Sequence, residues 1–456
     1  MRTTVKSYVT GEHWPSFPNQ AGSQILALLF QLEKTQYLPP SEIQRNQFLQ
    51  LNEIFKHAIR TVPYYKKKFK AAGFRRSTEI TPDLWQQVPV LSRSIVQEHQ
   101  EDLLSKRIPA SHGHTNIIRS SGSTGKPIQV TGTDVTQFFY RVFAMRDHFW
   151  HQRDFSGKMA VIRFEKKGKA EYPGVSYSYW GLVTAGIINT GPAIFLNSST
   201  NISLQAKFLL HEQPDYLLSY PSNLQALAIH FKDNNLQLEK LKAVRALGET
   251  LGCEVRAICK EIWNVPLVDM YTAQEVGYIA LQCPDNENIY HVQAENLYVE
   301  VIDDEGQPCK AGEIGRVLLT TLHNFAMPLI RYEIGDYAEV GEPCSCGRTL
   351  PVLSQIMGRQ RNMLVLPDGK KSWPATGFSA WVEEFPIKQF QYVQKSLHSI
   401  EARLVTGRKF TVEEENRFRT ILQDALRHPF SIDIIYLEDI PRSKGGKFED
   451  FISLVT

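Results

Sequence analysis

Ser120-Ser121-Gly122-Ser123-Thr124-Gly125-Lys126-Pro127 packs four hydroxyls, two glycines and a lysine into eight residues. It lies between the apolar pair Ile117-Ile118 and the strand-like run Ile128-Gln129-Val130. Glycine lets backbone N–H groups come close to an anion, hydroxyls donate further hydrogen bonds, and the lysine adds a point charge. A polyphosphate grip needs these groups. The stretch is not a Walker A loop: Ser120 stands where that motif has glycine, and Lys126 is followed by Pro127 instead of Ser or Thr. Taken alone it also reads as a Ser/Gly-rich surface turn, so the remainder of the chain has to decide.

The 456 residues are enough for two or more domains with substantial cores. Apolar residues make up 42% and charged residues 22%, as in ordinary globular chains. The net charge of +3 comes without an arginine-rich run, so nucleic acid is not the expected main partner. The cluster Lys66-Lys67-Lys68-Phe69-Lys70 reads as a solvated helix face. No apolar run approaches the roughly 18 residues of a membrane span. Met1-Arg2-Thr3-Thr4 is not followed by a signal-type apolar region, so a cytoplasmic location is expected. Six cysteines are too few for a disulfide scaffold and read as core residues or metal ligands.

Residues 20–110 read as mainly helical, with a break and cap at Pro39-Pro40-Ser41-Glu42. From 115 to 270 short strands, among them Met159–Ile162, Tyr216–Leu218 and a single strand Leu267–Met270, alternate with helices such as Asn223–Phe231 and Glu254–Trp263. That alternation predicts an α/β sheet. Residues 289–340 turn β-rich, with a hairpin turn at Asp303-Asp304-Glu305-Gly306. The pattern resets after Gly358-Arg359, and a helix over Val412–Leu426 sits within a final β/α unit. The expected organisation is therefore a large multi-subdomain α/β N-terminal domain, 1–358, and a small mobile α+β C-terminal domain, 359–456.

Several blocks follow the opening loop in one order: Gly248-Glu249-Thr250-Leu251, Tyr271-Thr272-Ala273-Gln274-Glu275, Asn324-Phe325-Ala326-Met327-Pro328-Leu329-Ile330-Arg331-Tyr332-Glu333-Ile334-Gly335-Asp336, Gly358-Arg359, and Pro441-Arg442-Ser443-Lys444-Gly445-Gly446-Lys447-Phe448. Together they resemble the adenylate-forming, acyl-CoA synthetase-like superfamily, in its phenylacetate–CoA ligase and capsular-polysaccharide branch, over roughly residues 40–455. The resemblance implies ATP, Mg²⁺ and coenzyme A as small-molecule partners and a carboxylic acid as substrate. By the same resemblance Ser120, Ser121, Gly122, Ser123, Thr124, Gly125 and Lys126 would grip the β- and γ-phosphates, and Gly248 and Glu249 belong to the nucleotide site. Tyr271 would lie on adenine, Asp336 would take the ribose hydroxyls, and Arg359 would reach ribose or phosphate. Glu275 would hold Mg²⁺, and Lys447 would act at the α-phosphate. This assignment agrees with elementary chemistry, because an acid attacking a phosphate brings two anions together and needs fixed positive charge.

Two positions depart from the family pattern. Gln274 stands where relatives have Thr; its amide can still reach a phosphate or acyl oxygen. Asn362 stands where relatives have Asp, at the expected hinge. Separately, Cys344-Ser345-Cys346-Gly347 and the pair Cys283 and His291 could close a tetrahedral zinc site, or be buried thiols beside a histidine. Cys253, Cys259 and Cys309 read as packing residues. Phe138, Phe139, Tyr140 and the turn Ser219-Tyr220-Pro221-Ser222 are candidates for an acid pocket that favours an aryl or arylacetic acid. The expected activity is AMP-forming acid–thiol ligation to coenzyme A. Transfer to a carrier-protein thiol or an amine, and a non-catalytic nucleotide-binding role, stay open, as does the oligomeric state.

Overall fold

The computed structural model describes residues 5–119, 128–374, 378–381, 384–443 and 446–455. By their internal contacts these form two compact units: 1–161, 175–195 and 268–356 in the first, and 162–174, 196–267 and 357–456 in the second. The folds are those of a mixed α/β protein with a small α+β module at the C-terminal end.

In the first unit a seven-stranded sheet runs in the order Leu297–Ile302, Ile314–Thr321, Tyr332–Val340, Val352–Arg359, Tyr290–Val292, Gly277–Gln282 and Met270–Ala273. The expected turn at 303–306 forms, with Gly306 at φ +82° and its N–H donating to the Asp303 carbonyl at 3.2 Å. Helix Pro40–Thr61 starts at the predicted break, with Pro40 at its first position, where a missing N–H costs nothing. Its Ile43, Phe48, Leu51, Ile54, Phe55, Ala58 and Ile59 are buried. They recur at helical spacing, and from Phe48 onward they join Ile279, Leu319 and Tyr332 of the sheet in a single core. Each buried Leu, Ile or Phe side chain of this kind stabilises the fold by roughly 1.5–3 kcal/mol. Helix Pro63–Ala71 buries Tyr65 and Phe69 and leaves Lys66, Lys67 and Lys68 exposed, as its sequence predicts.

The stretch 324–331 is a loop held by its polar groups. The Asn324 amide oxygen accepts the N–H groups of Ala326 and Met327, both at 3.1 Å. Tyr65 Oη donates to the Pro328 carbonyl and accepts from Ile330 N–H. Arg331, at φ +48°, is buried, and its guanidinium donates to the carbonyls of Gln86 and Val88 and pairs with Glu300 at 3.0 Å. Trp85 Nε1 donates to the other Glu300 oxygen at 2.9 Å. Burial pushes the Glu300 carboxyl above its usual range, and Arg331 opposes that shift.

The expected strand Leu267–Met270 is divided into Leu267–Val268 and Met270–Ala273. At the break the Asp269 N–H donates to the Gln282 side-chain oxygen, and the Asp269 carboxylate accepts Tyr290 Oη at 2.9 Å. Side-chain bonds there replace a ladder bond, which the run of residue types does not announce.

In the second unit strands Tyr216–Ser219 and Ala243–Ala246 are parallel, joined through helix Pro221–Asp233. The C-terminal module is a sheet in the order Ser431–Tyr436, Ser399–Thr406, Ile387–Ser396, Phe451–Ser453. Helix Val412–Leu426 forms with the predicted bounds. Thr411 and Glu414 close a capping box at its start, and Phe418, Leu422 and Leu426 face inward. Among the described residues no helix is long and apolar enough to cross a membrane.

Arg331→Met should lower the unfolding free energy by about 3–5 kcal/mol, because it leaves Glu300 buried without its countercharge and strands two carbonyls. Denaturant titration measures this; a loss below about 1 kcal/mol would mean the pair is not the anchor of the loop.

Candidate functional site

The loop 120–127 lies outside the described residues, as do Lys444 and Gly445. The other site candidates fall into three groups, two in the first unit and one in the second.

The first group is built on the hairpin of strands Met270–Ala273 and Gly277–Gln282. Its turn is closed by the Val276 N–H on the Ala273 carbonyl, and Gly277 at φ +79° starts the return. This turn buries the Glu275 side chain and leaves Gln274 exposed. Tyr271, also buried, donates its hydroxyl to Asp336 Oδ2 at 2.8 Å. Asp336 sits on strand Tyr332–Val340, one residue after Gly335 at φ +90°. Glu275 Oε1 is paired with Arg93 at 3.2 Å, and the same Arg93 nitrogen donates to Tyr332 Oη at 3.3 Å. Burial pushes the Tyr332 phenol above its usual range. Sequence reasoning passed over Arg93. Its place is set by backbone pairing, in which Leu91 N–H donates to the Arg331 carbonyl and Glu333 N–H to the Leu91 carbonyl. Ser92 then caps the short helix Arg93–Glu98. No local signal in the sequence marks this.

Of the candidate acid-pocket residues in this unit, Phe139 stacks on His323 with ring centroids 3.8 Å apart and 6° between planes. Burial lowers the His323 pKa to about 4, so the imidazole is neutral. Tyr140 is 45% exposed and lies beside Tyr278.

The second group is the cysteine–histidine cluster. Cys283 directly follows strand Gly277–Gln282 and His291 lies in the next strand, while Cys344 and Cys346 come from a loop whose Gly347 has φ +85°. Strand Tyr290–Val292 pairs with Val352 and Leu353, which brings that loop alongside. The four ligand atoms all lie within 4.8 Å of one another. Cys283 Sγ and Cys344 Sγ are 3.8 Å apart, and Cys346 Sγ is 3.3 Å from His291 Nε2. A tetrahedron with metal–sulfur bonds of about 2.3 Å has sulfur–sulfur edges of about 3.8 Å. The donor set therefore fits a four-coordinate divalent ion. Burial, with the Arg348 charge adding to it, lowers the His291 pKa to about 4, which leaves the neutral imidazole a metal needs. Burial pushes the Cys283 thiol up to about 12. Cys346 is also raised by burial, but hydrogen bonds from Arg348 outweigh this and hold it below the usual thiol range. Of the cysteines expected to be packing residues, Cys259 is buried and Cys309 half-buried; Cys253 is exposed at the start of helix Cys253–Trp263, a correction.

The third group is in the second unit. Gly248 and Glu249 follow strand Ala243–Ala246, at the end where α/β sheets carry their sites. Gly248 has φ +77°, and a Cβ there would lie 3.5 Å from Lys447 Cε and from Tyr220 Cε1. The Glu249 carboxylate is buried and accepts the N–H groups of Ser222 at 3.0 Å and Phe448 at 2.6 Å. Burial pushes this carboxyl above its usual range, opposed by Arg442. Arg442, quoted in the sequence but given no role, is 3.4 Å from Glu249. Ser219 is wholly buried and donates its hydroxyl to the Ile162 carbonyl at 2.7 Å, which leaves no part of it facing a pocket. Arg359 follows Gly358, at φ +90°, where a Cβ would meet Thr250 Oγ1 at 2.7 Å. The Arg359 N–H donates to the Asn362 amide oxygen, and the Asn362 amide nitrogen donates to the Phe451 carbonyl at 2.7 Å.

Removing the Tyr271 hydroxyl in Tyr271→Phe leaves Asp336 half-exposed, able to take a water instead. The expected loss is about 1 kcal/mol in equilibrium unfolding. No measurable loss would mean that the two residues are not bonded in solution.

Residues 371–453 match the family described as the CapK C-terminal domain. The chain is 25% identical over 464 residues to a phenylacetate–coenzyme A ligase of Thermus thermophilus, an alignment covering 91% of this chain and 98% of that one. It is 26% identical over 359 residues to a phenylacetate–coenzyme A ligase of Escherichia coli, covering 71% and 73%. In fold it is similar to the crystal structure of a 2-hydroxyisobutyryl-CoA ligase in the postadenylation state in complex with R3-HIB-AMP. The TM-score is 0.72 and the identity 18%, over 91% of this chain and 90% of that one.

Proposed function

We propose that this chain, a member of the adenylate-forming superfamily on its phenylacetate–CoA ligase and CapK branch, joins a carboxylic acid to ATP and passes the acyl group to the thiol of coenzyme A. In the first step an acid oxygen bonds to the α-phosphorus, the bond to pyrophosphate breaks, and acyl-AMP remains. In the second the thiol sulfur attacks the acyl carbonyl, AMP leaves, and the thiol proton goes to solvent or a base.

One observation carries the nucleotide reading. Tyr271 and Asp336, assigned to adenine and ribose, are 65 residues apart in sequence and joined by a 2.8 Å hydrogen bond. Tyr271 offers a flat ring for stacking. The Asp336 carboxylate can accept both ribose hydroxyls while its other oxygen keeps the Tyr271 bond. Glu275, on the same hairpin, offers a hard oxygen donor of the kind Mg²⁺ takes. When bound, that ion neutralises phosphate charge. Arg93 beside Glu275 orients the carboxylate. In this reading the loop 120–126 grips the terminal phosphates and Arg359 reaches the ribose or phosphate. Lys447, carried by a domain beginning at 359, brings its ammonium to the oxygens where negative charges meet. The aromatic character of Phe138, Phe139 and Tyr140 favours an aryl or arylacetic acid.

A second reading keeps the adenylation and changes only the acceptor, to a carrier-protein thiol or an amine. Acid-dependent pyrophosphate exchange over a panel of acids, followed by thioester detection with and without coenzyme A, tests both. Exchange with no acid in the panel would overturn the adenylation; exchange without coenzyme A thioester would transfer the reading to the second acceptor.

Lys447→Ala should lower adenylation by about 10²–10³, the effect of losing one preorganised charge at the transition state. Thioester formation from supplied acyl-AMP should survive. Equal loss in both half-reactions would contradict the role given to the lysine.

We assign Cys283, His291, Cys344 and Cys346 to one structural zinc, since four protein ligands leave no position for substrate or water. Protein purified without added metal should contain about one zinc per chain by elemental analysis, and Cys346→Ser should lose both metal and stability. A folded, zinc-free chain would remove this assignment.

A further inference from the structure

The Glu249 carboxylate has both oxygens occupied, and its side chain is only 5% exposed. Oε2 accepts the Ser222 N–H at the start of helix Pro221–Asp233. Oε1 takes the Phe448 N–H, at 2.6 Å, and faces Arg442 Nη1 at 3.4 Å. Two of its three partners thus belong to the loop that carries Lys447. Arg442 makes the connection from the other side: the same nitrogen donates to Ser222 Oγ at 2.8 Å and to the Gly446 carbonyl at 3.3 Å.

The loop is also closed on itself. Ser443 N–H donates to the Lys447 carbonyl at 2.9 Å, Gly446 N–H to the Ser443 carbonyl at 2.8 Å, and Lys447 N–H to Ser443 Oγ at 3.1 Å. Gly446 has φ +75°, and a Cβ there would sit 2.2 Å from the Cβ of Phe164, so only glycine lets the loop come so close. Gly248 performs the same service opposite, with Lys447 Cε 3.5 Å from its own Cβ position. Ser443, Gly446 and Lys447 are therefore tied to one another, Gly446 lies against the Phe164 side chain, and a buried carboxylate holds the adjoining Phe448 N–H.

We infer that Glu249 and Arg442 form a clasp that seats the Lys447 loop for the adenylation step and parts for the thiol-transfer step. They are positioning residues: they set where the lysine ammonium stands and do not touch the reacting atoms. The inference rests on the proposed two-step reading. Its physical basis is asymmetry between the two states. Seated, the buried carboxylate has a cation and two N–H donors. Unseated, it keeps only Ser222, through its N–H and its side chain, and a buried charge without a countercharge is costly unless water enters. The clasp thus favours the seated state by a margin that can be reversed once water reaches Glu249.

The test uses the full chain. Arg442→Ala should lower acid-dependent pyrophosphate exchange at least about tenfold while thioester formation from supplied acyl-AMP stays within about twofold. Arg442→Lys should recover part of the exchange, since an ammonium keeps the positive charge beside Glu249 but stands on a shorter, more flexible stem that holds the three contacts of Nη1 less firmly. Unchanged exchange in Arg442→Ala, or equal loss in both half-reactions, overturns the clasp. A second readout does not depend on turnover. Tryptic cleavage after Lys447, read by mass spectrometry under native conditions, should be at least about tenfold faster in Arg442→Ala and in Glu249→Ala than in the wild-type chain, with the global unfolding midpoint recorded alongside. Unchanged cleavage in the folded Arg442→Ala chain overturns the clasp. A wild-type chain inactive with every acid overturns the two-step reading, and the cleavage rates then still decide whether the clasp exists.

Discussion

The buried Arg331 guanidinium is the constraint on which the first unit depends. It reaches two carbonyls of residues 86–88 and the carboxylate of Glu300 on strand Leu297–Ile302. One cation thereby joins the helical N-terminal part to the large sheet, and it does so at a residue held at φ +48°. From that point the chain continues directly into strand Tyr332–Val340, which pairs with Leu91 and delivers Asp336. The position of Arg93 against Glu275 follows from the same pairing. An isolated charge in this core would be too costly to keep, so the arrangement is held as a whole or not at all.

In the second unit glycine does the corresponding service. Gly248, Gly358 and Gly446 all have positive φ, and at Gly358 and Gly446 a Cβ would meet neighbouring atoms at 2.7 and 2.2 Å. At each of them the backbone comes close to a neighbouring side chain, Lys447 and Tyr220, Thr250 and Phe164 in turn, and the polar groups packed nearby become decisive. Glu249 and Arg442 are two of them. The cysteine–histidine cluster obeys a related rule: burial drives His291 neutral and Cys283 toward its protonated thiol, so a divalent ion would convert costly polar groups into ligands.

Much of this was legible from local pattern. Helix Val412–Leu426 is announced by Thr411 and Glu414 at capping-box spacing and by Phe418, Leu422 and Leu426 four residues apart. The breaks at Pro39-Pro40 and Asp303–Gly306 follow from the dihedral limits of proline and the freedom of glycine. The strand expected over Leu267–Met270 was not divided in advance, because Asp269 is turned by Gln282 and Tyr290, which are distant in sequence.

The amino-acid sequence by itself determined the element types, the order of the motif blocks and the chemical character of each candidate residue, since these rest on local dihedral preference, side-chain period and functional group. Only the tertiary structure decided which of those groups meet: Tyr271 with Asp336, Arg93 with Glu275, Glu249 with Arg442 and Phe448, and Cys283 with Cys344. Such meetings depend on strand pairing across long separations and on the requirement that every buried charge find a partner. Neither condition is written in any short stretch of chain.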